Sequence, residues 1–295
     1  MKSITPNNSP VLPKLRIFNP SRLTDAELEA SFIVRQQLFE KLLQQILNEK
    51  KSHVPQHHLI IGQRGMGKTT LLCRIGAELR KAEYVDQYIP LQFPEEQYVE
   101  VNCLSKFWLN CLDSLADALE EEGDSAAVKD LDQRIRLLDR SGLGEVELAD
   151  AGQGLFIEMI KVLKRRPILL FDNFHLLLDR LKESDYTLRA FFMKEGAPIL
   201  VGGSTAMPSD TDDYGAAFYD GFMIHLLHRL SLREMQDVLK HLAELSGNAN
   251  LAARIYEETP RLATLRDLTG GNPRTTVLMF ELFARGFSED AYEDL

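Results

Sequence analysis

The sequence predicts an α/β fold: a parallel β-sheet layered between helices, followed by a small all-helical part. Two observations support this prediction. Short apolar runs alternate with longer amphipathic segments as far as about residue 230, and only helix signals follow. The runs are apolar throughout rather than at every second position, which is typical of strands covered on both faces of a sheet. Strands that alternate with helices favour parallel order with right-handed crossovers.

The composition agrees with a globular domain. The chain has 295 residues, of which 44% are hydrophobic and 26% are charged, and this excludes disordered, collagen-like and disulfide-scaffold classes. A net charge of −10 argues against a DNA-binding surface over the whole domain. No apolar run reaches the roughly 18 residues that a membrane helix needs, and the N-terminus lacks the apolar core of a signal peptide. Three cysteines without CxxC spacing indicate reduced thiols and a cytoplasmic location.

Two helices are predicted before the first strand. Thr24 and Glu27 fit a capping box, in which hydroxyl and carboxylate bond each other's backbone amides. A second helix is predicted from about Arg35 to Lys51, because its leucines recur at helical spacing. We therefore assign residues 1–31 to an N-terminal arm and helix.

Residues 32–230 carry the strand signals and form the predicted core domain. The predicted strands are His57–Ile61, Gln87–Phe93, Pro167–Phe171, Ile199–Val201 and Phe222–Leu226. The predicted helices between them are Lys68–Lys81, Ser105–Glu121, Gly154–Arg166 and Tyr186–Lys194. Residues 122–152 are charged, with turn signals at 141–142 and at Gly152, and we interpret them as a helical insertion on the surface.

Residues 231–295 form the predicted helical domain. Ser231 and Glu234 fit a second capping box that opens a helix to about Leu245. Further helices are predicted at 251–258, at 261–268 and from Asn272 to about Arg285. The acidic end has no C-cap, so we expect the chain to be cut within a helix of a longer protein, with a natural frayed tail as the alternative.

The most specific motif lies between the first strand and a helix. It reads Gly62-Gln63-Arg64-Gly65-Met66-Gly67-Lys68-Thr69 and fits G-x-x-x-x-G-K-[ST]. Its glycines allow backbone N–H groups to turn towards phosphate oxygens at a helix N-terminus. Lys68 would reach the β- and γ-phosphates, and the Thr69 hydroxyl would hold Mg²⁺. The motif predicts a nucleotide-binding loop that extends to Thr70.

Polar residues at two strand ends are candidates for the same site. Asp172 ends an apolar strand, so its carboxylate would hold the Mg²⁺ shell beside the loop, with a simple helix cap as the alternative. The amide of Asn173 can orient a water but cannot accept its proton, which predicts slow hydrolysis. Ser204 or Thr205 would contact the γ-phosphate or the attacking water, with a plain strand-to-loop turn as the alternative.

The last predicted helix begins with an unexpected cation. Asn272 is a good N-cap and Pro273 a good first residue, but Arg274 faces the unfavourable end of the helix dipole. We interpret Arg274 as a phosphate sensor, with a tolerated surface arginine as the alternative.

In this order the motifs resemble the AAA+/STAND class of P-loop ATPases, nearest to its origin-recognition-like and archaeal-type branch. The resemblance runs from about Phe32 to Gly286, and Gly-Asn-Pro-Arg at 271–274 narrows it to this class. It implies a P-loop NTPase αβα sandwich with a helical lid, and ATP or ADP with Mg²⁺ bound between core and lid.

The resemblance also implies residue roles. Residues 62–70 would be the phosphate loop, Asp172 the Walker B acid, Ser204 or Thr205 sensor 1, and Arg274 sensor 2. Ile33, Val34 and Arg35 belong to a segment that resembles the one touching adenine in this class, with an ordinary helix start as the alternative. Asn173 departs from the usual glutamate, and residues 209–221 contain several acids and no base that could act in a neighbouring subunit. Ring-type cooperative hydrolysis is therefore not favoured.

The resulting functional hypothesis is a nucleotide-dependent molecular switch with slow ATP hydrolysis. A protein partner or a homo-oligomer is expected, and no membrane. One alternative is an interaction module that binds nucleotide without turnover. Another is a DNA-associated loader or initiator, which would need a basic patch or domain that this sequence does not show. A small-molecule kinase is the least supported, because no arginine-rich lid is present.

Overall fold

The computed structural model describes residues 20–49, 53–94, 100–206, 221–257 and 259–286. The predicted arm before residue 20, most of the segment 209–221 and the acidic end after residue 286 lie outside these ranges. The chain divides into two compact units, which we describe separately. One is Thr24–His228, and the other contains the described parts of Met1–Leu23 and Arg229–Leu295.

The first unit is built on a parallel five-stranded sheet. Its strands are β1 (His57–Ile61), β2 (Tyr88–Phe93), β3 (Arg166–Phe171), β4 (Ile199–Ser204) and β5 (Phe222–Leu226). The order is β2-β3-β4-β1-β5, and every neighbouring pair is parallel. Because all strands point the same way, the loops after β1, β3 and β4 leave from one edge, where such sheets bind ligands.

Eight α-helices accompany the sheet in the described part of this unit. They are α1 (Asp25–Ser31), α2 (Gln36–Asn48), α3 (Lys68–Leu79), α4 (Leu104–Glu121), α5 (Ser125–Asp139), α6 (Glu145–Leu163), α7 (Phe174–Arg180) and α8 (Asp185–Phe192). The capping box of α1 is confirmed, since Thr24 Oγ1 accepts from Glu27 N at 3.3 Å and Glu27 Oε2 accepts from Thr24 N at 2.9 Å.

Two apolar layers cover opposite faces of the sheet. In β3, Ile168 and Leu170 pack with residues of α2 and α3, whereas Leu169 and Phe171 pack with residues of α4, α6, α7 and α8. β3 therefore buries both of its faces, which explains its uninterrupted apolar run from Pro167 to Phe171. The predicted αβα sandwich is confirmed.

The helical layer of α4, α5 and α6 corrects one sequence prediction. The expected break at Gly152 is wrong, because α6 continues through it from Glu145 to Leu163. A Cβ at Gly152 would lie 3.0 Å from the Cβ of buried Trp108 on α4, so glycine permits this close packing. The segment 122–152 is also more than a surface insertion, since Leu131 and Ala149 are buried in the core. The turn near residue 142 is confirmed.

The described residues of the second unit form helices joined by short connections. Its helices are a 3₁₀ turn (Pro20–Arg22), α9 (Leu232–Leu245), α10 (Ala249–Arg254), α11 (Thr259–Thr269) and α12 (Pro273–Gly286). The second capping box is confirmed, with Ser231 Oγ accepting from Glu234 N at 3.2 Å and Glu234 Oε2 accepting from Ser231 N at 2.8 Å. Met235, Leu239 and Leu242 of α9 are buried. Within the described ranges, no helix combines the length and apolarity that crossing a membrane requires.

Candidate functional site

The loop between β1 and α3 is compact and glycine-dependent. Gly65 and Gly67 have φ angles of 83° and 90°, a left-handed conformation that glycine adopts without steric cost. Met66 N donates to Gln63 O at 3.2 Å, and the Met66 side chain is buried in the core. The buried Met66 side chain therefore anchors the loop to the core, and the glycines lie at the sharp turns that precede α3.

The first glycine of the loop sits in a narrow space between two neighbouring strands. Gly62 N donates to Ser204 O at 3.0 Å, which extends the pairing of β1 with β4. On the other side, a Cβ at Gly62 would lie 2.9 Å from Leu227 Cβ, just after β5. A larger residue at position 62 would push the loop away from the sheet.

Lys68 starts α3 and folds back into the loop. Its Nζ donates to Gly62 O at 2.7 Å and to Gln63 O at 3.2 Å, and the residue is only 6% exposed. Burial lowers the pKa of Lys68, and the nearby Asp172 carboxylate offsets part of that effect. The loop thus holds a cation at the N-terminus of a helix, where both charges attract an anion such as phosphate.

Thr69 and Asp172 form the second half of the site. Thr69 Oγ1 donates to Asp172 Oδ2 at 2.6 Å, and Asp172 Oδ1 accepts from Asn173 N at 3.1 Å. Asp172 N donates to Phe93 O at 3.1 Å, which fixes the carboxylate at the end of β3. A hydroxyl and a carboxylate in contact fit a Mg²⁺ ion that takes its remaining ligands from phosphate and water. No group of three or more His, Cys, Asp or Glu side chains suited to a metal occurs in the described residues.

Two glycines of β4 make room for these groups, and the sequence prediction missed them. β4 continues through Gly202 and Gly203 to Ser204 instead of ending at Val201. A Cβ at Gly203 would lie 3.3 Å from Asp172 Oδ1, and one at Gly202 would lie 2.9 Å from Phe174 Cβ. Glycine inside a strand signals such close approaches, so the Gly-Gly pair was the available clue.

The two candidate sensor hydroxyls have different partners. Ser204 is fully buried, and its hydroxyl bonds the carbonyl and, at 3.3 Å, the amide of Ala206. Thr205 is exposed, and its Oγ1 lies 3.2 Å from His175 Nε2 on α7. Ser204 therefore closes the turn after β4, whereas Thr205 contacts the helix that follows Asp172. The sequence reasoning passed over His175, whose only signal is its place three residues after Asp172.

Asn173 occupies an unusual backbone position. Its φ of 52° is left-handed, directly before α7. Asparagine tolerates this conformation better than most residues because its side chain can hydrogen-bond locally. The identity of residue 173 thus has a conformational reason as well as the predicted chemical one.

The segment from Phe32 to Arg35 joins α1 to α2 and runs close to the loop. Phe32 is buried, while Ile33, Val34 and Arg35 are half-buried. Arg35 has a left-handed φ of 70°, and its Nη2 donates to His228 O at 2.8 Å. His228 follows Leu227, the residue against Gly62, so the segment is anchored beside the phosphate loop.

In the second unit, Asn272 caps α12 as predicted. Its Oδ1 accepts from Arg274 N at 3.0 Å and from Thr275 N at 3.4 Å. Gly271 has a φ of 64°, and a Cβ there would lie 2.7 Å from Leu230 O. The Arg274 side chain is exposed on the first turn of α12, and its role as a sensor stays a prediction.

P-loop nucleotide-binding proteins are defined by a glycine-rich loop between a strand and a helix, a lysine at the helix start, and a hydroxyl paired with a carboxylate at the end of another strand of the sheet. Within that class, a family model for the AAA ATPase domain matches residues 31–201. The match spans more than half of the chain, so the chain belongs to the AAA ATPase domain family. The predicted AAA+ resemblance is confirmed.

Solved structures that are similar to this chain include an ORC1 protein and a RuvB protein. The Aeropyrum pernix ORC1 protein, solved in complex with DNA, is 14% identical with a TM-score of 0.47 over 72% of this chain and 50% of that chain. A RuvB mutant of Thermotoga maritima is 18% identical with a TM-score of 0.42 over 88% of this chain and 64% of that chain. The chain therefore spans half of the first protein and less than two thirds of the second. None of the curated proteins compared with it matches significantly.

Proposed function

We propose that this protein is a nucleotide-dependent molecular switch that binds ATP with Mg²⁺ at residues 62–70 and hydrolyses it slowly. The observation that carries the proposal is the geometry of Lys68, Thr69 and Asp172. A buried ammonium lies at a helix N-terminus, and the next residue's hydroxyl lies 2.6 Å from the Asp172 carboxylate at the end of β3.

Each group has a definite task in this proposal. The N–H groups of the loop and Lys68 bind the β- and γ-phosphates, so Lys68 exchanges its carbonyl partners for phosphate oxygens. Thr69 Oγ1 and Asp172 hold Mg²⁺, which when bound neutralises charge on the phosphates. Ile33, Val34 and Arg35 contact the base.

Slow hydrolysis follows from the residues around the γ-phosphate. Asn173 can hold the attacking water but cannot take its proton. Thr205 is the better of the two sensor candidates, because its side chain is exposed, whereas the Ser204 hydroxyl is buried in the turn with Ala206. Arg274 is the proposed phosphate sensor of the helical unit, and the output passes to a protein partner or another copy. We place this activity in the cytoplasm.

The experiment that tests the proposal measures Mg-ATP binding and steady-state hydrolysis across a series of protein concentrations. Lys68→Ala should abolish binding, whereas Lys129→Ala, which removes an exposed lysine of α5, should leave it intact. Wild-type turnover should be slow and proportional to concentration. A wild-type protein that binds no ATP would overturn the proposal.

Two other outcomes would select an alternative. Binding without turnover above the Lys68→Ala background would indicate a non-hydrolysing interaction module, which Asn173 favours. Turnover that rises more steeply than concentration would indicate an oligomeric ATPase with a residue supplied between subunits. The loader or initiator alternative predicts DNA affinity that falls with salt concentration, and the net charge of −10 of this sequence counts against it.

A further inference from the structure

We infer that Arg74 is a positioning residue for nucleobase recognition, which holds the segment Phe32–Arg35 in place on the helix that begins with Lys68 and Thr69. The inference rests on the proposed ATP binding. It concerns a residue outside the phosphate loop and outside every motif identified in the sequence.

Arg74 connects three helices of the first unit. It lies on α3 and is 7% exposed. Its Nη1 donates to Glu78 Oε2 at 2.7 Å on α3, and its Nη2 donates to Glu29 Oε1 at 3.4 Å on α1. Its guanidinium carbon lies 4.5 Å from the centre of the Phe39 ring on α2. A planar cation held over an aromatic face by two carboxylates has a defined orientation, which lysine cannot reproduce.

The contact with Phe39 extends to the segment itself. The Phe39 and Phe32 rings meet edge to face, with centroids 5.6 Å apart and planes at 66°. Both rings are buried, and Phe32 is the first residue of the segment. Arg74 therefore supports one end of the segment through Phe39, while the bond from Arg35 to the His228 carbonyl holds the other end.

The same helix carries the phosphate-binding residues. At 1.5 Å per residue, Arg74 lies about 9 Å along α3 from Lys68. A helix is rigid over this distance, so the segment Phe32–Arg35 is held at a fixed position relative to the first residues of α3. The half-buried apolar side chains of Ile33 and Val34 then keep a constant distance from the phosphate loop. A base of the right shape can only be selected if that distance is constant.

Other ion pairs also hold α1 in place, so the proposed role of Arg74 differs from attaching α1 to the rest of the unit. Arg80 Nε donates to Asp25 at 2.8 Å, and Lys81 Nζ donates to Glu29 at 2.9 Å. These pairs tie α1 to the two residues that directly follow α3, and neither pair involves the Arg74 side chain. Loss of the Arg74 side chain should therefore leave α1 attached and loosen mainly the stack of Phe39 on Phe32.

The test compares three ligands on four proteins. Equilibrium affinities for the magnesium complexes of ATP, GTP and inorganic tripolyphosphate are measured for wild type, Arg74→Met, Arg74→Lys and the control Lys81→Met. Arg74→Met should weaken ATP binding by about tenfold, the scale of one lost cation–aromatic contact with its hydrogen bonds. Tripolyphosphate affinity should stay unchanged, and the ratio of ATP to GTP affinity should fall towards one. Arg74→Lys should fall between Arg74→Met and wild type, and Lys81→Met should match wild type.

Each contrary result has one meaning. An unchanged ATP-to-GTP ratio in Arg74→Met would overturn the inference, and so would an equal loss of ATP and tripolyphosphate. A wild type that binds both nucleotides equally would overturn it too, while leaving the phosphate site in place. A wild type that binds none of the three ligands would instead refute the proposed function. Should Arg74→Met fail to fold, Phe39→Leu removes the same ring from the stack and is expected to lower the same ratio.

Discussion

Acidification should destabilise the first unit through three buried histidines. His57 and His58 on β1 and His225 on β5 are almost fully buried. Burial lowers the pKa of His57 to about 4, with the Phe192 carbonyl opposing it and Arg166 adding to it. Burial, together with the neighbouring His225 and His57, lowers the pKa of His58 to about 3. Burial and Lys41 lower the pKa of His225 to about 4.

The hydrogen bonds explain why these rings are neutral. His57 Nδ1 accepts from Leu200 N at 3.1 Å while its Nε2 bonds Phe192 O at 3.3 Å, so a proton on Nδ1 would turn an acceptor into a second donor facing an N–H group. His58 Nδ1 lies 3.2 Å from His225 Nε2, where one ring must accept from the other. Two protonated rings would place two donors face to face.

The magnitude follows from proton linkage. The unfolded histidines titrate near pH 6.5, so below that pH the unfolded state takes up protons that the folded state does not. Their contribution to stability is present above pH 6.5 and is lost as the pH falls towards 4. At pH 5 each histidine costs about 2 kcal/mol, or about 6 kcal/mol for the three. This sum is comparable with the whole stability of a typical domain, about 5–15 kcal/mol.

Urea unfolding at pH 7, 6 and 5 measures this loss. The free energy of unfolding of His58→Gln should fall by about 2 kcal/mol less between pH 7 and pH 5 than that of wild type. His228→Gln, which removes an exposed histidine, should keep the wild-type pH dependence. The comparison uses the pH dependence of each variant and not its absolute stability. If the free energy of unfolding falls by the same amount between pH 7 and pH 5 in wild type and in His58→Gln, protonation of His58 does not destabilise the fold and the prediction is refuted.

Three further predictions concern packing and chemistry. Gly152→Ala should lower the free energy of unfolding by about 1–3 kcal/mol, because the new Cβ would lie 3.0 Å from Trp108 Cβ. Gly154→Ala on the same helix adds a Cβ in open space and should raise the free energy of unfolding by about 0.5–1 kcal/mol. Urea titration of both variants measures the difference. Asn173→Glu should raise steady-state ATP turnover by roughly 100-fold or more, because the glutamate supplies a base. The same change should lower the free energy of unfolding by about 1–2 kcal/mol, because residue 173 has a left-handed backbone conformation. Unchanged turnover would contradict the proposal that residue 173 lies at the attacking water. Thr205→Val should lower ATP turnover roughly tenfold, the scale of one lost hydrogen bond, and should leave ATP affinity unchanged in a binding assay. An equal loss of ATP affinity would indicate a structural role for Thr205 instead.

The parts of the fold that follow from local sequence were predictable. β1 and β5 have their predicted bounds because each is a short, mostly apolar run with clear limits. Thr24 and Ser231 open their helices as predicted, since a capping box involves only residues three apart. The phosphate loop was predictable for the same reason, because its chemistry requires a fixed spacing along one stretch of chain.

The errors and omissions share a different physical origin. Gly152 carries a local turn signal, but the packing of Trp108 against it decides the outcome, and that contact joins helices far apart in sequence. The contacts of Thr205 with His175 and of Arg74 with Phe39 likewise depend on how the chain folds back on the sheet. Periodicity and capping rules describe interactions within a few residues, so they cannot rank such partners.

Asn173 shows how conformation and chemistry constrain one position together. Its backbone turns from β3 into α7 with a positive φ, which keeps Asp172 Oδ1 in contact with its N–H. A glutamate there would add a base but would occupy a conformation that costs a branched or long side chain about 1–2 kcal/mol. An asparagine retains the turn and the Asp172 contact and gives up proton transfer. The geometry that holds Asp172 against Thr69 is therefore compatible with a site that binds Mg-ATP firmly and turns it over slowly, which is the behaviour that a switch requires.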